Sequence, residues 1–148
     1  MKLPKNFTRK GFTLIEILVV SAIFTMLAGV GFFVSLDSLR GYAFRSEWQT
    51  TVRLLQKARG QAMSNLYHLP HGVHIENGLY TLFRGASYST SDFRNEETVI
   101  HPGVIVSGLS QVIFSELSGD ANVTGTIVLT DGLRSKTITI NHEGGINW

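Results

Sequence analysis

The sequence predicts an α+β fold: a long N-terminal helix, with a transmembrane half and an amphipathic half, packed on an antiparallel β-sheet domain. Three observations predict it. An apolar run lies near the N-terminus, a helical rhythm of apolar residues follows, and period-two runs separated by Asn-Gly and Asp-Gly fill the rest.

The apolar run, Phe12 to Leu36, holds one formal charge, Glu16. A helix of roughly 25 residues at about 1.5 Å each is on the order of 37 Å long, enough to cross a hydrocarbon layer with some tilt. A secretory signal peptide has a shorter apolar region followed by a small-residue cleavage site. Here the run passes straight into amphipathic sequence, which favours a retained span. Lys2, Lys5, Arg9 and Lys10 precede it without an acid, whereas Asp37, Arg40, Arg45 and Glu47 follow in balance. The positive-inside tendency then places the N-terminus in the cytoplasm and the bulk of the chain outside a single-pass membrane anchor. Within the span, Ser21, Thr25 and Ala28 form a stripe of small or hydroxyl side chains that suits close helix packing. Gly29 and Gly31 each weaken the helix by roughly 1 kcal/mol relative to Ala.

From Asp37 to about Leu66, Phe44, Trp48, Val52, Leu55, Ala62 and Leu66 keep an i+3/i+4 rhythm, while Arg45, Gln49, Arg53, Gln56 and Lys57 stay polar. This is the amphipathic half, and "YHLPHG", Tyr67 to Gly72, ends it. "GVHIENGLYTLFRG" then reads as two strands around Asn77-Gly78, a strong hairpin signal. A polar loop follows over Ala86 to Thr98. "TVIHPGVIVSG" and "VIFSEL" give two β-rich runs, with Pro102 marking an edge or break. The last segment alternates through Ile127 and Leu129, then Ile138 and Ile140, around Asp131-Gly132. These strand faces need a partner, and the outer half of the helix is the apolar surface on offer.

Charge and cysteine content narrow the function. The chain of 148 residues carries 13 Lys and Arg against 11 acids, and without the four leader cations its formal charge changes from +2 to −2. The basic character therefore belongs to the leader and gives no support for a polyanion partner of the remainder. With no cysteine, the external part must be held by its own core. No G-x-S-x-G, Walker A or strand-borne G-x-G-x-x-G motif is present, so no catalytic residue and no cofactor is expected. His68, His71 and His74 are spaced three apart, but Pro70 and Gly72 interrupt any helix between them, and no metal site is expected. Asn122-Val123-Thr124 matches a glycosylation sequon and reads as a surface turn.

"KGFTLIEILVV", Lys10 to Val20, resembles the processing and assembly signal of type IV pilins and type II secretion pseudopilins. The resemblance implies cleavage by a prepilin peptidase between Gly11 and Phe12, N-methylation of Phe12, and a role in filament assembly for Glu16. A carboxylate in a membrane is costly unless it is interfacial, paired or neutralised. Cleavage would create a positive α-amine on Phe12, and in a filament the amine of one chain pairs with the Glu16 carboxylate of its neighbour. Glu16 would thus be a registry device, satisfied only on correct assembly. The implied organisation is a leader over 1–11, a transmembrane helix and filament core over 12–36, and an external pilin-like domain over 37–148.

"LLQKARGQAM" and "GTIVLTDGLRSKTITINHEGG" resemble the GspH/FimT group of minor pseudopilins and minor pilins. That resemblance implies a structural subunit of the type II secretion pseudopilus, with a FimT/FimU-like minor type IV pilin as the alternative. Its partners would be prepilin peptidase, other pseudopilins or pilins, and an inner-membrane assembly platform. Relatives implicated in DNA uptake carry arginines after the C-terminal glycines. Here the corresponding stretch is "EGGINW", so no nucleic-acid partner is expected. The major pseudopilin of that family carries an acidic calcium-binding loop, whereas Asp120 and Asp131 stand isolated, which favours a minor subunit. A DNA receptor and a single-pass membrane enzyme or sensor are the readings from other classes.

Overall fold

The computed structural model of the chain describes residues 11–76 and 78–148, with the side chains of residues 31–38 set aside. The leader cations Lys2, Lys5, Arg9 and Lys10, the side chains of 31–36 in the expected span, and Asn77 of the expected hairpin turn lie outside the described residues. The chain divides between Arg40 and Gly41 into two compact units. The single α-helix among the described residues, α1, is assigned over Leu14–Met63 and contributes to both. Among the described residues, no helix is long and apolar enough to cross a membrane.

In the second unit, α1 is amphipathic as its rhythm predicts. Phe44, Thr51, Val52, Leu55, Ala58 and Ala62 are buried, whereas Arg45, Gln49, Arg53, Gln56 and Lys57 are exposed. The helix ends at Met63, a turn before the expected Leu66. Asn65 takes a left-handed conformation with φ 53°, which asparagine tolerates better than most residues. The Ala62 carbonyl, left over at that end, accepts from the N–H groups of Asn65 at 2.9 Å and Leu117 at 3.0 Å. A short 3-10 turn, Leu66–His68, leads into the sheets.

Two antiparallel sheets follow. The first has the order β3-β2-β1-β5, formed by β1 (His71–Glu76), β2 (Leu79–Arg84), β3 (Glu96–Val99) and β5 (Gln111–Phe114). The second has the order β4-β6-β7-β8, formed by β4 (Ile105–Gly108), β6 (Gly125–Thr130), β7 (Ser135–Ile140) and β8 (Ile146–Asn147). The β1–β2 hairpin forms around residues 77 and 78 as the sequence predicts, and Gly78 supplies a φ of 77°. The β6–β7 hairpin forms around Asp131-Gly132.

Pro102 does more than break a strand. The run "TVIHPGVIVSG" is divided between the sheets, with β3 in the first and β4 in the second. Val104 closes the crossover turn by donating to the His101 carbonyl at 3.0 Å. The two-residue β8 was not foreseen. It is brought back by the turn at residues 141–145, where Gly144 has φ 70° and a Cβ would stand 1.9 Å from the Gly119 carbonyl oxygen.

The core is the contact between one helix face and both sheets. Leu55, Ala58 and Ala62 join Val73, Leu82, Val112 and Phe114 of the first sheet and Ile127, Leu129, Ile138 and Ile140 of the second in one buried cluster. The small Ala58 and Ala62 allow the backbone to approach closely. Some polar groups in this layer have specific partners, whereas Glu47 Oε1 and Trp48 Nε1 are buried without a hydrogen bond among the described residues. Thr51 Oγ1 donates to the Glu47 carbonyl at 3.0 Å and accepts from the Tyr80 hydroxyl at 2.7 Å. Burial pushes the Tyr80 phenol well above its ordinary range, so it remains a donor. The carboxylate of Glu47, only 7% exposed, accepts at 3.1 Å from the His101 N–H and so holds the crossover turn to the helix.

Leu55→Ala would remove a fully buried side chain from this shared layer. Denaturant unfolding of the full chain in detergent is expected to show a loss of about 2–5 kcal/mol. His71, 2% exposed, donates from Nδ1 to the Leu69 carbonyl at 2.9 Å, and burial lowers its pKa below the usual histidine value. The unfolded chain therefore binds the proton first as pH falls. This contribution to stability is complete above about pH 6.5 and declines as pH drops towards the depressed folded value. Unfolding curves at pH 7.5 and 5 are expected to show a smaller acid loss for His71→Gln than for the natural chain.

Candidate processing and assembly segment

Gly11, Phe12 and Thr13 precede the first turn of α1 and are all exposed, Phe12 to 85%. Among the described residues, a Cβ built on Gly11 would meet nothing within 4 Å. Packing among the described residues therefore does not call for glycine there. A requirement for a minimal side chain at this point would come from a molecule that approaches the Gly11–Phe12 bond.

Thr13 and Glu16 form a reciprocal cap. The Glu16 N–H donates to Thr13 Oγ1 at 3.3 Å, while Glu16 Oε2 accepts from both the Thr13 N–H and the Thr13 hydroxyl at 2.8 Å. The arrangement satisfies donors that the first helical turn would otherwise leave free, as a Thr-x-x-Glu capping box does. Glu16 thus has a partner in its own chain, beside the one expected on assembly. One carboxylate oxygen is engaged within the same chain, and Oε1 has no partner among the described residues. Thr13 is the capping residue that the sequence alone did not single out. Its signal was the spacing "TLIE" immediately before an apolar run.

The helix that starts here is apolar around its circumference. Leu14, Ile15, Ile17, Leu18, Val19, Val20, Ile23, Phe24, Met26, Leu27 and Val30 are all about half exposed or more. A helix of this kind is stable where lipid or other helices surround it. The hydroxyls on it are already satisfied: Ser21 Oγ donates to the Leu18 carbonyl at 2.9 Å, and Thr25 Oγ1 donates to the Ser21 carbonyl. They can therefore pass through an apolar contact without a partner on another chain.

Residues 6–32 match the family model described as the prokaryotic N-terminal methylation motif. The chain carries a type IV pilin-like N-terminal signal. Such a signal marks a type IV pilin-like or pseudopilin substrate of prepilin peptidase, and Gly11, Phe12 and Glu16 all lie within the matched residues. The match does not extend into the β domain, and it does not separate pilin from pseudopilin. No curated protein and no solved structure matches the chain significantly.

The other candidate residues are occupied differently. His68 Nδ1 lies 2.8 Å from Asn65 Nδ2, His71 bonds the Leu69 carbonyl, and His74 stacks on Tyr88 at 4.0 Å while bonding Glu76 at 2.9 Å. Among the described residues, no group of three His, Asp or Glu side chains is arranged to hold a metal. Asp131 Oδ1 accepts from the N–H groups of Leu133 at 3.0 Å and Arg134 at 2.6 Å. These turn bonds, foremost the one from Arg134, hold the carboxyl below its ordinary pKa. The Lys136 ammonium sits 4.7 Å from the centre of the Trp48 ring.

Thr13→Ala is expected to open the cap without removing Glu16. Amide exchange at residues 13–16 in detergent micelles should become roughly 3–10-fold faster, whereas Thr13→Ser should remain close to the natural chain.

Proposed function

We propose that this protein is a non-enzymatic structural subunit of a membrane-anchored filament, most specifically a GspH-like minor pseudopilin of type II secretion. The observation that carries the reading is the Gly11–Phe12 junction followed by a capped Glu16 and a wholly apolar helical surface. Prepilin peptidase removes residues 1–11, and Phe12 becomes the methylated N-terminus. The apolar segment 12–36 serves as a single-pass inner-membrane anchor before extraction and as filament core afterwards, with the β domain on the extracytoplasmic side.

The half-used Glu16 carboxylate supports a defined role in assembly. Thr13 occupies Oε2, which leaves Oε1 for the α-amine of a neighbouring subunit. In an apolar bundle, a subunit out of register leaves both charges without partners, a larger penalty than the correct pairing incurs. The local cap lowers the cost of carrying the acid before that neighbour arrives.

A minor subunit is supported by the state of the acidic residues in the β domain. Asp131 spends one oxygen on two turn amides and lies 3.8 Å from Arg134 through the other. It is part of a hairpin turn, an environment unlike a multi-carboxylate calcium loop.

Peptide mass spectrometry after expression with a prepilin peptidase tests the reading. The natural chain is expected to begin at methylated Phe12, and Gly11→Ala to keep its leader. An N-terminus unchanged by an active peptidase would remove the reading. Glu16→Ala is expected to be cleaved normally yet to fall at least tenfold in the sheared filament fraction, which separates processing from assembly.

A further inference from the structure

Among the described residues several strand edges in the β domain lack a neighbouring strand, and two of them, on β7 and β3, are complementary. In the second sheet, β8 pairs only with Thr139 and Ile140 of β7. Ser135 to Ile138 are covered by β6 on one side and, among the described residues, have no strand on the other. The bonds Asp131 N–H to Arg134 carbonyl and Asn141 N–H to Gly145 carbonyl fix the alternation of the ladder. They direct the main-chain groups of Ser135 and Thr137 away from β6, towards the open side.

The second edge belongs to β3, one of the two outermost strands of the first sheet. The Ile100 N–H donates to the Gly78 carbonyl at 2.8 Å, which sets the alternation there and turns the main-chain groups of Glu97 and Val99 outward. Each edge thus offers four residues, with two aimed outward at matching spacing. The side chains are also open to a partner: Ser135, Lys136 and Thr137 are exposed, as are Glu96, Glu97 and Val99.

Charge selects between possible partners. The β7 edge carries Lys136 over Trp48 and borders a groove of about 150 Å³ lined by Trp48, Gln49, Val52, Arg53 and Trp148. A lysine on an open edge discourages pairing with basic strands and favours an acidic one. The sequence of β3 is Glu-Glu-Thr-Val, with both acids at the start of the strand.

We infer that β3 of one copy of this chain adds antiparallel to the open stretch of β7, residues 135–138, of a second copy. Thr137 stands opposite Glu97 and Ser135 opposite Val99, in two hydrogen-bonded pairs. Lys136 faces Thr98 and has Glu96 as its diagonal neighbour on the same face. Glu96 points to the helix side of its own sheet, where Lys57 of α1 reaches it. In the joined sheet it therefore lies on the side of Lys136 and the Trp48 groove. Because the two edges are different patches, the contact is heterologous and repeats from copy to copy. It goes beyond the filament reading, and it does not require N-terminal cleavage.

The lack of native cysteine allows a direct test in the full-length chain. Differently tagged Thr137→Cys and Glu97→Cys chains are co-expressed in membranes and mildly oxidised, since hydrogen-bonded antiparallel pairs bring Cα atoms to about 5.5 Å, within disulfide reach. Ser135→Cys with Val99→Cys is the second pair, and Thr137→Cys with Ile105→Cys on the β4 edge is the collision control. The expected result is a mixed-tag dimer from either designed pair at least tenfold above control, with or without prepilin peptidase, reduced by Lys136→Glu and kept by Lys136→Arg. Control-level yield from both designed pairs would overturn the inference, and an acidic strand from another subunit would then be the occupant to seek. That result would leave the N-terminal mass measurement, and the filament reading it tests, unaffected.

Discussion

Both sheets depend on a single helix face, because each is too small to bury its apolar side alone and α1 is the surface they share. Leu55, Ala58 and Ala62 touch a cluster drawn from both sheets, so residues far apart in sequence are tied to the same few turns of helix. The polar groups follow the same constraint. Thr51 meets Tyr80 of the first sheet, and Glu47 holds the His101 turn at which the chain leaves that sheet for the second. Those contacts satisfy the two hydroxyls and one oxygen of Glu47 at the seam, where unpaired polar groups are costly, and Glu47 Oε1 stays buried without a partner among the described residues.

The N-terminal segment is organised by an opposite demand. It has no apolar face because it is apolar on all sides, and its one carboxylate must be accommodated before and after any assembly. Thr13 provides a local partner for one oxygen of that carboxylate, and the other has none among the described residues.

Much of this was legible in the residues. The helix was visible in the spacing of Phe44, Val52, Leu55 and Ala62, and the two hairpins in Asn77-Gly78 and Asp131-Gly132, because these signals act over a few residues. Assignment to two sheets was not legible. Alternation shows which side chains share a face, but it does not show that β3 pairs with β2 while β4 pairs with β6. Pro102 was read as a break, whereas its larger consequence, the change of sheet, depends on contacts distant in sequence. At the N-terminus, Gly11, Phe12 and Glu16 were recognisable together, yet the Thr13 cap was overlooked because the acid was considered only as a charge in a membrane.

The arrangement of Glu47, Thr51, Leu55, Ala58 and Ala62 along one face has a mechanical consequence. Force delivered along residues 41–63 of α1 loads these contacts together, in shear, and does not peel the sheets away one row at a time. Hydrogen bonds and close-packed side chains loaded in parallel share the tension. Glu47 additionally passes part of it into the crossover turn, so both sheets are drawn along by the same pull. The β domain is thereby built as cargo on a tow bar, suited to being moved by its helix without coming apart.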